Sequence, residues 1–175
     1  MPFPVEKIDH VAVAVRSIAE ASRLFIDKFG GEFIGGGDNP DLDIRAVQIL
    51  YEPGAKIELL APLSEMSYLS GYLDRYGEGL HHMTVYTDDV AAAAKAFVDA
   101  GLAVVDTSLE SEHWHETFLR PSSAFGVLIQ VAWARERWDR PFVGLTLEDV
   151  LEGRVQVLKN VLTWKSSGRV LSQPV

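Results

Sequence analysis
The sequence predicts an α+β fold made of two tandem βαβββ modules, and three observations predict it. One segment is written twice: Ile8-Asp9-His10-Val11-Ala12-Val13-Ala14-Val15 lies over Leu80-His81-His82-Met83-Thr84-Val85-Tyr86-Thr87, so that His10 falls on His82 (82 − 10 = 72). The same offset carries Ile18 onto Val90, Ala21 onto Ala93, Phe25 onto Phe97 and Glu58 onto Gln130 (130 − 58 = 72). Each copy also opens with a period-two alternation and passes into helical spacing, the order expected of a strand feeding a helix.

The elements follow in chain order. Residues 7–15 alternate and read as a strand. Residues 17–29 place Ile18, Ala21, Leu24, Phe25 and Phe29 on one helical face, with Ser17 as N-cap and Gly30-Gly31 as the stop. Strands are expected near 32–36, 44–51 and 55–61, separated by turns at Gly37-Asp38-Asn39-Pro40 and Glu52-Pro53-Gly54. A linker at 64–77, with Met66, Leu69, Tyr72 and Leu73, reads as a short amphipathic helix between the halves. The second copy gives a strand at 80–87, a helix at 89–100 capped by Asp88 or Asp89 and ended by Gly101, then strands near 103–109, 114–120 and 126–133. Residues 1–133 thus form one paired domain, with module 1 at about 6–63 and module 2 at about 78–133. The extension at 134–175 has no counterpart in the repeat. Leu147, Val150, Leu151 and Val155 predict a further helix there, and Trp138, Phe142 and Trp164 predict packing against the domain or a second subunit.

Composition narrows the function. The chain has 175 residues, 47% of them hydrophobic, which suits a folded domain and not a disordered polymer. A formal net charge of −9 with no basic stripe argues against nucleic acid as a partner. The opening Met1-Pro-Phe-Pro-Val-Glu-Lys is not a secretory leader, and no apolar run is long enough to span a membrane, so a cytoplasmic location is expected. The chain contains no cysteine, so any metal must be held by histidine and oxygen donors.

Strand parity selects those donors. Val11, Val13 and Val15 share one face of the first strand, and His10, Ala12 and Ala14 share the other. Glu58 opposes Ile57 and Leu59; His82, Thr84 and Tyr86 oppose Met83 and Val85; Gln130 and Ala132 oppose Val127, Ile129 and Val131. Each strand keeps one aliphatic face for packing and offers one ligand-type residue from the other. His10, Glu58, His82 and Gln130 make two imidazoles, a carboxylate and an amide oxygen. That set suits one divalent ion of the Zn, Ni, Co, Mn or Fe type. An unpaired Glu58 among apolar neighbours would otherwise be costly.

The stretches Ile8 to Val15, Ile57-Glu58-Leu59-Leu60-Ala61-Pro62-Leu63, Gly79-Leu80-His81-His82-Met83 with Asp88-Asp89-Val90, and Gly126-Val127-Leu128-Ile129-Gln130 resemble the vicinal oxygen chelate superfamily of glyoxalases, bleomycin resistance proteins and dioxygenases. Within it they look most like methylmalonyl-CoA epimerase. The resemblance spans roughly residues 6–133. It implies a curved, mostly antiparallel eight-stranded sheet, an incomplete barrel around a metal cleft, with His10, Glu58, His82 and Gln130 as the metal ligands. His81 has the opposite parity to His82 and reads as structural. The acidic, aromatic-bearing tail points to a homodimer, and the resemblance implies a small-molecule substrate.

The expected reaction is that of a metal-dependent isomerase, epimerase or lyase, working on a small carbonyl or acyl compound through a stabilised enolate. The alternatives are an extradiol-type dioxygenase and a non-catalytic binder of the resistance type. Epimerases of this kind use two carboxylates as proton shuttles, and this chain has Gln48 and Gln130 at those positions; glutamine cannot take a proton. In His113-Trp114-His115-Glu116, His115 and Glu116 are the candidate proton acceptors. Gln48, Tyr86 and Arg120 are candidates for holding substrate.

Overall fold
A computed structural model describes residues 3–174, which form ten strands. They are β1 (Lys7–Ala14), β2 (Glu32–Asn39), β3 (Ile44–Tyr51), β4 (Ala55–Pro62), β5 (Gly79–Tyr86), β6 (Val104–Ser108), β7 (Trp114–Leu119), β8 (Ile129–Ala134), β9 (Val155–Leu158) and β10 (Val161–Trp164). The helices are α1 (Ile18–Ser22), running into a π turn at Arg23–Lys28, α2 (Tyr68–Tyr76), α3 (Val90–Asp99) and α4 (Leu147–Leu151). The βαβββ order therefore occurs twice, as β1-α1-β2-β3-β4 and β5-α3-β6-β7-β8. Among the described residues no helix is long and apolar enough to cross a membrane.

The chain divides into two compact units. One holds the residues up to Val11 together with His81–Arg137; the other holds Ala12–Leu80 and the residues from Trp138 onward.

In the unit containing β2, the strand order is β10-β9-β2-β3-β4. Ser17 caps α1 by accepting from Glu20 N at 3.2 Å, as its hydroxyl and position predict. Ile18, Ala21 and Phe25 from α1 and its π turn pack on Val15, Ile34, Val47, Ile49 and Leu59. The other face is not left bare: Leu69 and Leu73 of α2 are fully buried against Ala12, Ala14, Ile44 and Leu60. The two alanines let the helix approach, and burying each leucine stabilises the unit by about 2 kcal/mol. The linker is thus a packed element, capped by Ser67, which accepts from Leu69 N at 3.3 Å.

Two expectations fail in this unit. The eight-stranded count becomes ten, because the residues after 153 form a hairpin. Gly153 adopts φ 70°, which ends α4 at the position where a left-handed residue closes a helix, so Val155 lies in a strand. Lys159 and Asn160, at φ 48° and 66°, make the two-residue turn between β9 and β10. The second failure is at Gly37-Asp38-Asn39-Pro40, where β2 runs on to Asn39 and the turn follows it. Gly37 makes room for a neighbour instead of opening a turn, and Gly35 in the same strand does likewise. A Cβ on Gly35 would lie 2.9 Å from the Phe142 ring, and one on Gly37 would lie 3.1 Å from the Gln156 backbone. The tail fills that room: Trp138, Phe142, Leu145, Val150, Val155 and Leu162 belong to the same core as Ile34 and Val47. Gly36 is tighter still, with a Cβ 2.4 Å from the Ala46 carbonyl oxygen and 3.0 Å from Val47 Cα. Both are backbone atoms that cannot yield cheaply, so Gly36→Ala is expected to destabilise by about 3 kcal/mol. Urea unfolding checks this; an unchanged midpoint would contradict it.

Asp38, buried on β2, is the polar anchor of the unit. It accepts from Arg45 Nε at 2.6 Å and from Lys165 Nζ at 2.7 Å, while Arg45 Nη1 reaches the Leu151 carbonyl at 2.6 Å. Burial alone would raise its pKa, but the hydrogen bonds and charges of Arg45 and Lys165 outweigh that and hold the carboxyl below its ordinary value. Asp149 completes a capping box with Thr146 at the start of α4, and the Thr146 hydroxyl hydrogen bond leads the effects that lower its pKa.

In the unit containing β5, the order is β5-β8-β7-β6, with β5 parallel to β8 and β7 antiparallel to it. Asp89 caps α3, accepting from Ala92 N at 2.8 Å. Phe97 and Ala93 of that helix pack on Val85, Val131, Met83 and Ile129. This is the aliphatic face the alternation predicts.

Candidate functional site
The opposite face of β5, β8 and β7 gathers polar side chains in a linked series. His10, His82, Thr84 and Gln130 are all buried there. The His10 and His82 rings lie edge to face with centroids 5.7 Å apart. His10 Nδ1 is 2.8 Å from Asp9 Oδ2, and its Nε2 is 2.9 Å from Thr84 Oγ1. The Thr84 hydroxyl donates to Gln130 Oε1 at 2.6 Å, and Gln130 Nε2 donates to Glu116 Oε2 at 2.7 Å. Register explains the last contact. Gln130 stands directly across from Phe118, so Glu116, two residues earlier on β7, is its diagonal neighbour on the same face. Phe118 closes the side of His82, with ring centroids 6.2 Å apart.

The pair Gln48 and Glu58 belongs to the other unit, where they are cross-strand partners on β3 and β4. Gln48 Nε2 donates to Glu58 Oε1 at 3.3 Å. Gln48 is buried, and its Oε1 has no hydrogen-bond partner among the described residues.

The remaining candidates are dispersed. Tyr86 is buried on the His82 face, its ring flanked by Lys7 Nζ at 5.6 Å and the Arg137 guanidinium at 5.1 Å. His115 points to the face opposite Glu116 and stacks on Trp133 with centroids 5.1 Å apart. Arg120 is exposed and leads into a 3-10 turn. His81, read from the sequence as structural, has its Nδ1 2.9 Å from His82 Nδ1. Two members of the series were not singled out from the sequence. Asp9 carried a signal, a charged residue within an apolar strand next to a candidate ligand. Thr84 carried only its parity.

Two imidazoles and an amide oxygen on one face are ligand types that a divalent cation takes, and a proton count is compatible with one. The four contacts Asp9–His10, His10–Thr84, Thr84–Gln130 and Gln130–Glu116 each need one proton. A neutral imidazole supplies one, the threonine hydroxyl one and the amide one, which leaves the series a proton short. A second ring proton makes up the deficit, and so does a cation. With Nδ1–H given to Asp9, Nε2 of His10 is the lone-pair nitrogen, the arrangement in which a carboxylate orients a metal-binding imidazole. Two acceptors, His10 Nε2 and Gln130 Oε1, then converge on a single hydroxyl.

Residues 9–118 match the Glyoxalase/Bleomycin resistance protein/Dioxygenase superfamily, and the chain belongs to that superfamily. Among its relatives is the ethylmalonyl-CoA/methylmalonyl-CoA epimerase of Cereibacter sphaeroides, 30% identical over 131 residues, covering 73% of this chain and 97% of the relative. The crystal structure of methylmalonyl-CoA epimerase from Mycobacterium tuberculosis superposes with a TM-score of 0.69 at 27% identity, covering 78% of this chain and 93% of that one. A methylmalonyl-CoA epimerase solved in complex with methylmalonyl-CoA and NH4+ gives a TM-score of 0.67 at 26% identity, covering 79% and 100% respectively.

Proposed function
We propose that the chain is a divalent-metal-dependent epimerase of acyl-CoA thioesters whose α-carbon carries an exchangeable proton, methylmalonyl-CoA and ethylmalonyl-CoA being the first candidates. His10, Glu58, His82 and Gln130 would hold the ion. The observation that carries the reading is the proton-deficient series from Asp9 through His10, Thr84 and Gln130 to Glu116. The kinship with acyl-CoA epimerases supplies the substrate class. When bound, a divalent ion supplies positive charge beside the thioester carbonyl oxygen as the neighbouring carbon loses its proton.

The chain must then provide a proton acceptor, and neither Gln48 nor Gln130 can serve. Glu116 can. It lies on the His82 face, one of its oxygens accepts from Gln130, and its other oxygen has no hydrogen bond among the described residues. Its carboxylate accepts the proton as the C–H bond breaks, and a solvent water would return a proton to the opposite face of the α-carbon to complete the inversion, Glu116 releasing its own proton to solvent. His115 faces away from this series and is not assigned the role. Gln48 and Tyr86 would contact substrate, and the exposed Arg120 would meet an anionic group of it.

The test is deuterium uptake. Metal-loaded protein incubated with methylmalonyl-CoA or ethylmalonyl-CoA in D2O should place deuterium on the α-carbon, and Glu116→Gln should slow that by about 100-fold or more. Binding of the thioester without any exchange would sink the enzymatic reading. It would leave a non-catalytic binder, the alternative favoured by glutamine at both shuttle positions.

A further inference from the structure
We infer that Glu116 is the positioning residue that decides which end of the Gln130 amide faces the metal. The inference rests on the metal site proposed above, and it concerns a step before any substrate arrives. A glutamine side chain has two nearly isosteric ends, an oxygen that can ligate a cation and an NH2 that cannot. Nothing in the identity of Gln130 selects between them. Its neighbours do. Thr84 stands at one end, 2.6 Å from Oε1, and Glu116 stands at the other, 2.7 Å from Nε2. Thr84 is indifferent, since a hydroxyl can donate or accept. A carboxylate is not, since it only accepts. It therefore holds the NH2 on its own side and turns Oε1 toward Thr84, whose hydroxyl is 2.9 Å from His10 Nε2. The bond is charge-assisted, the stronger kind for fixing an orientation.

The geometry makes this control available only in this unit's register. Glu116 reaches Gln130 diagonally from β7, while the residue directly across, Phe118, is apolar and has no polar end to offer. Gln48 and Glu58 in the other unit show a contrasting arrangement. There the partners are directly opposed, the amide donates at a longer 3.3 Å, and the carboxylate itself is the candidate ligand.

The experiment is a metal titration, without substrate, on protein purified free of metal. Mn2+ and Co2+ are titrated calorimetrically into wild type, Glu116→Gln, Gln130→Glu and the double variant, with His10→Ala as the control. Glu116→Gln is isosteric, and its thermal melt is recorded to show that it folds. The new amide can satisfy either orientation of Gln130, so wild-type affinity should fall about 10-fold, within the range for residues that orient a metal ligand. The discriminating result is a change of sign. With Gln130→Glu the ligand is itself a carboxylate that Glu116 repels. Adding Glu116→Gln to that background should then tighten binding. Weakening by a similar factor in both backgrounds would mean that Glu116 acts only through its charge, and would overturn the inference. So would equal affinities of wild type and Glu116→Gln. If wild type binds neither ion, or His10→Ala binds as wild type does, the metal site itself fails, an outcome distinct from the other two.

Discussion

His10→Ala and His82→Ala should each lose divalent-metal binding by more than about 100-fold, beyond the range expected for residues that merely orient a ligand. Both imidazoles are buried on one face, their rings 5.7 Å apart, and neither can be replaced by a nearby side chain of the same type. His81 is the nearest imidazole, but it sits at the opposite strand parity and is tied to His82 through Nδ1 at 2.9 Å. Asp9→Asn should have a smaller effect, about 10- to 100-fold, because the ligand survives and only the group orienting it is lost. The measurement is elemental analysis of protein prepared without added metal, followed by calorimetric titration of the variants. About one ion per chain in wild type and none in either histidine variant is the expected result. Retention of the ion by both variants would place the metal elsewhere.

Asp38→Asn should destabilise the fold by about 3 kcal/mol at pH 7. The Asp38 carboxylate is buried with Arg45, while Lys165 is 40% exposed and counts for less. Removing the anion leaves the part-buried Arg45 guanidinium with only the Leu151 carbonyl to replace it, and orphaning one member of a buried pair costs about 3–5 kcal/mol. The lower end applies because Lys165 is open to solvent. The dependence on pH has a fixed sign. Asp38 is held below its ordinary value, so its contribution is complete above the unfolded pKa of about 3.9 and is lost as the pH falls through the folded one. The gap between wild type and Asp38→Asn should be constant from pH 7 to about 5 and close below about 4. Urea midpoints across that range at fixed ionic strength test it. A gap that persists undiminished at pH 2 would mean that the aspartate acts through packing and not through its charge.

Much of this architecture was legible in the residues. The offset relating His10 to His82 and Glu58 to Gln130 agrees with the βαβββ order of elements that occurs twice along the chain, and Ser17 and Asp89 cap their helices as their chemistry predicts. Parity placed His10, His82 and Gln130 on their faces. What could not be read depended on contacts distant in sequence. Gly37-Asp38-Asn39-Pro40 looks like a turn until it is known that the Gln156 backbone approaches Gly37. Val155 continues a helical spacing until Gly153 stops it. The Glu116–Gln130 contact depends on the register between β7 and β8, which the loop from Pro121 to Leu128 sets and which no periodicity reveals. His115 and Glu116, adjacent on a strand, necessarily face opposite sides, but which of the two shares the face of Gln130 is set by that register.

The hairpin of β9 and β10 has a consequence for how this chain avoids its neighbours. Beside it runs β2, whose Gly35-Gly36-Gly37 stretch presents bare backbone with no side chains to deter another strand. An uncovered edge of bare backbone invites pairing between molecules and is a route to aggregation. Here β9 docks along it in parallel, and the sheet ends instead on β10, four residues long. Thr163 is itself bridged by Val170 from the chain beyond. A vulnerable border is thereby exchanged for a short one that is already partly engaged, and the tail covers an edge as well as filling the core.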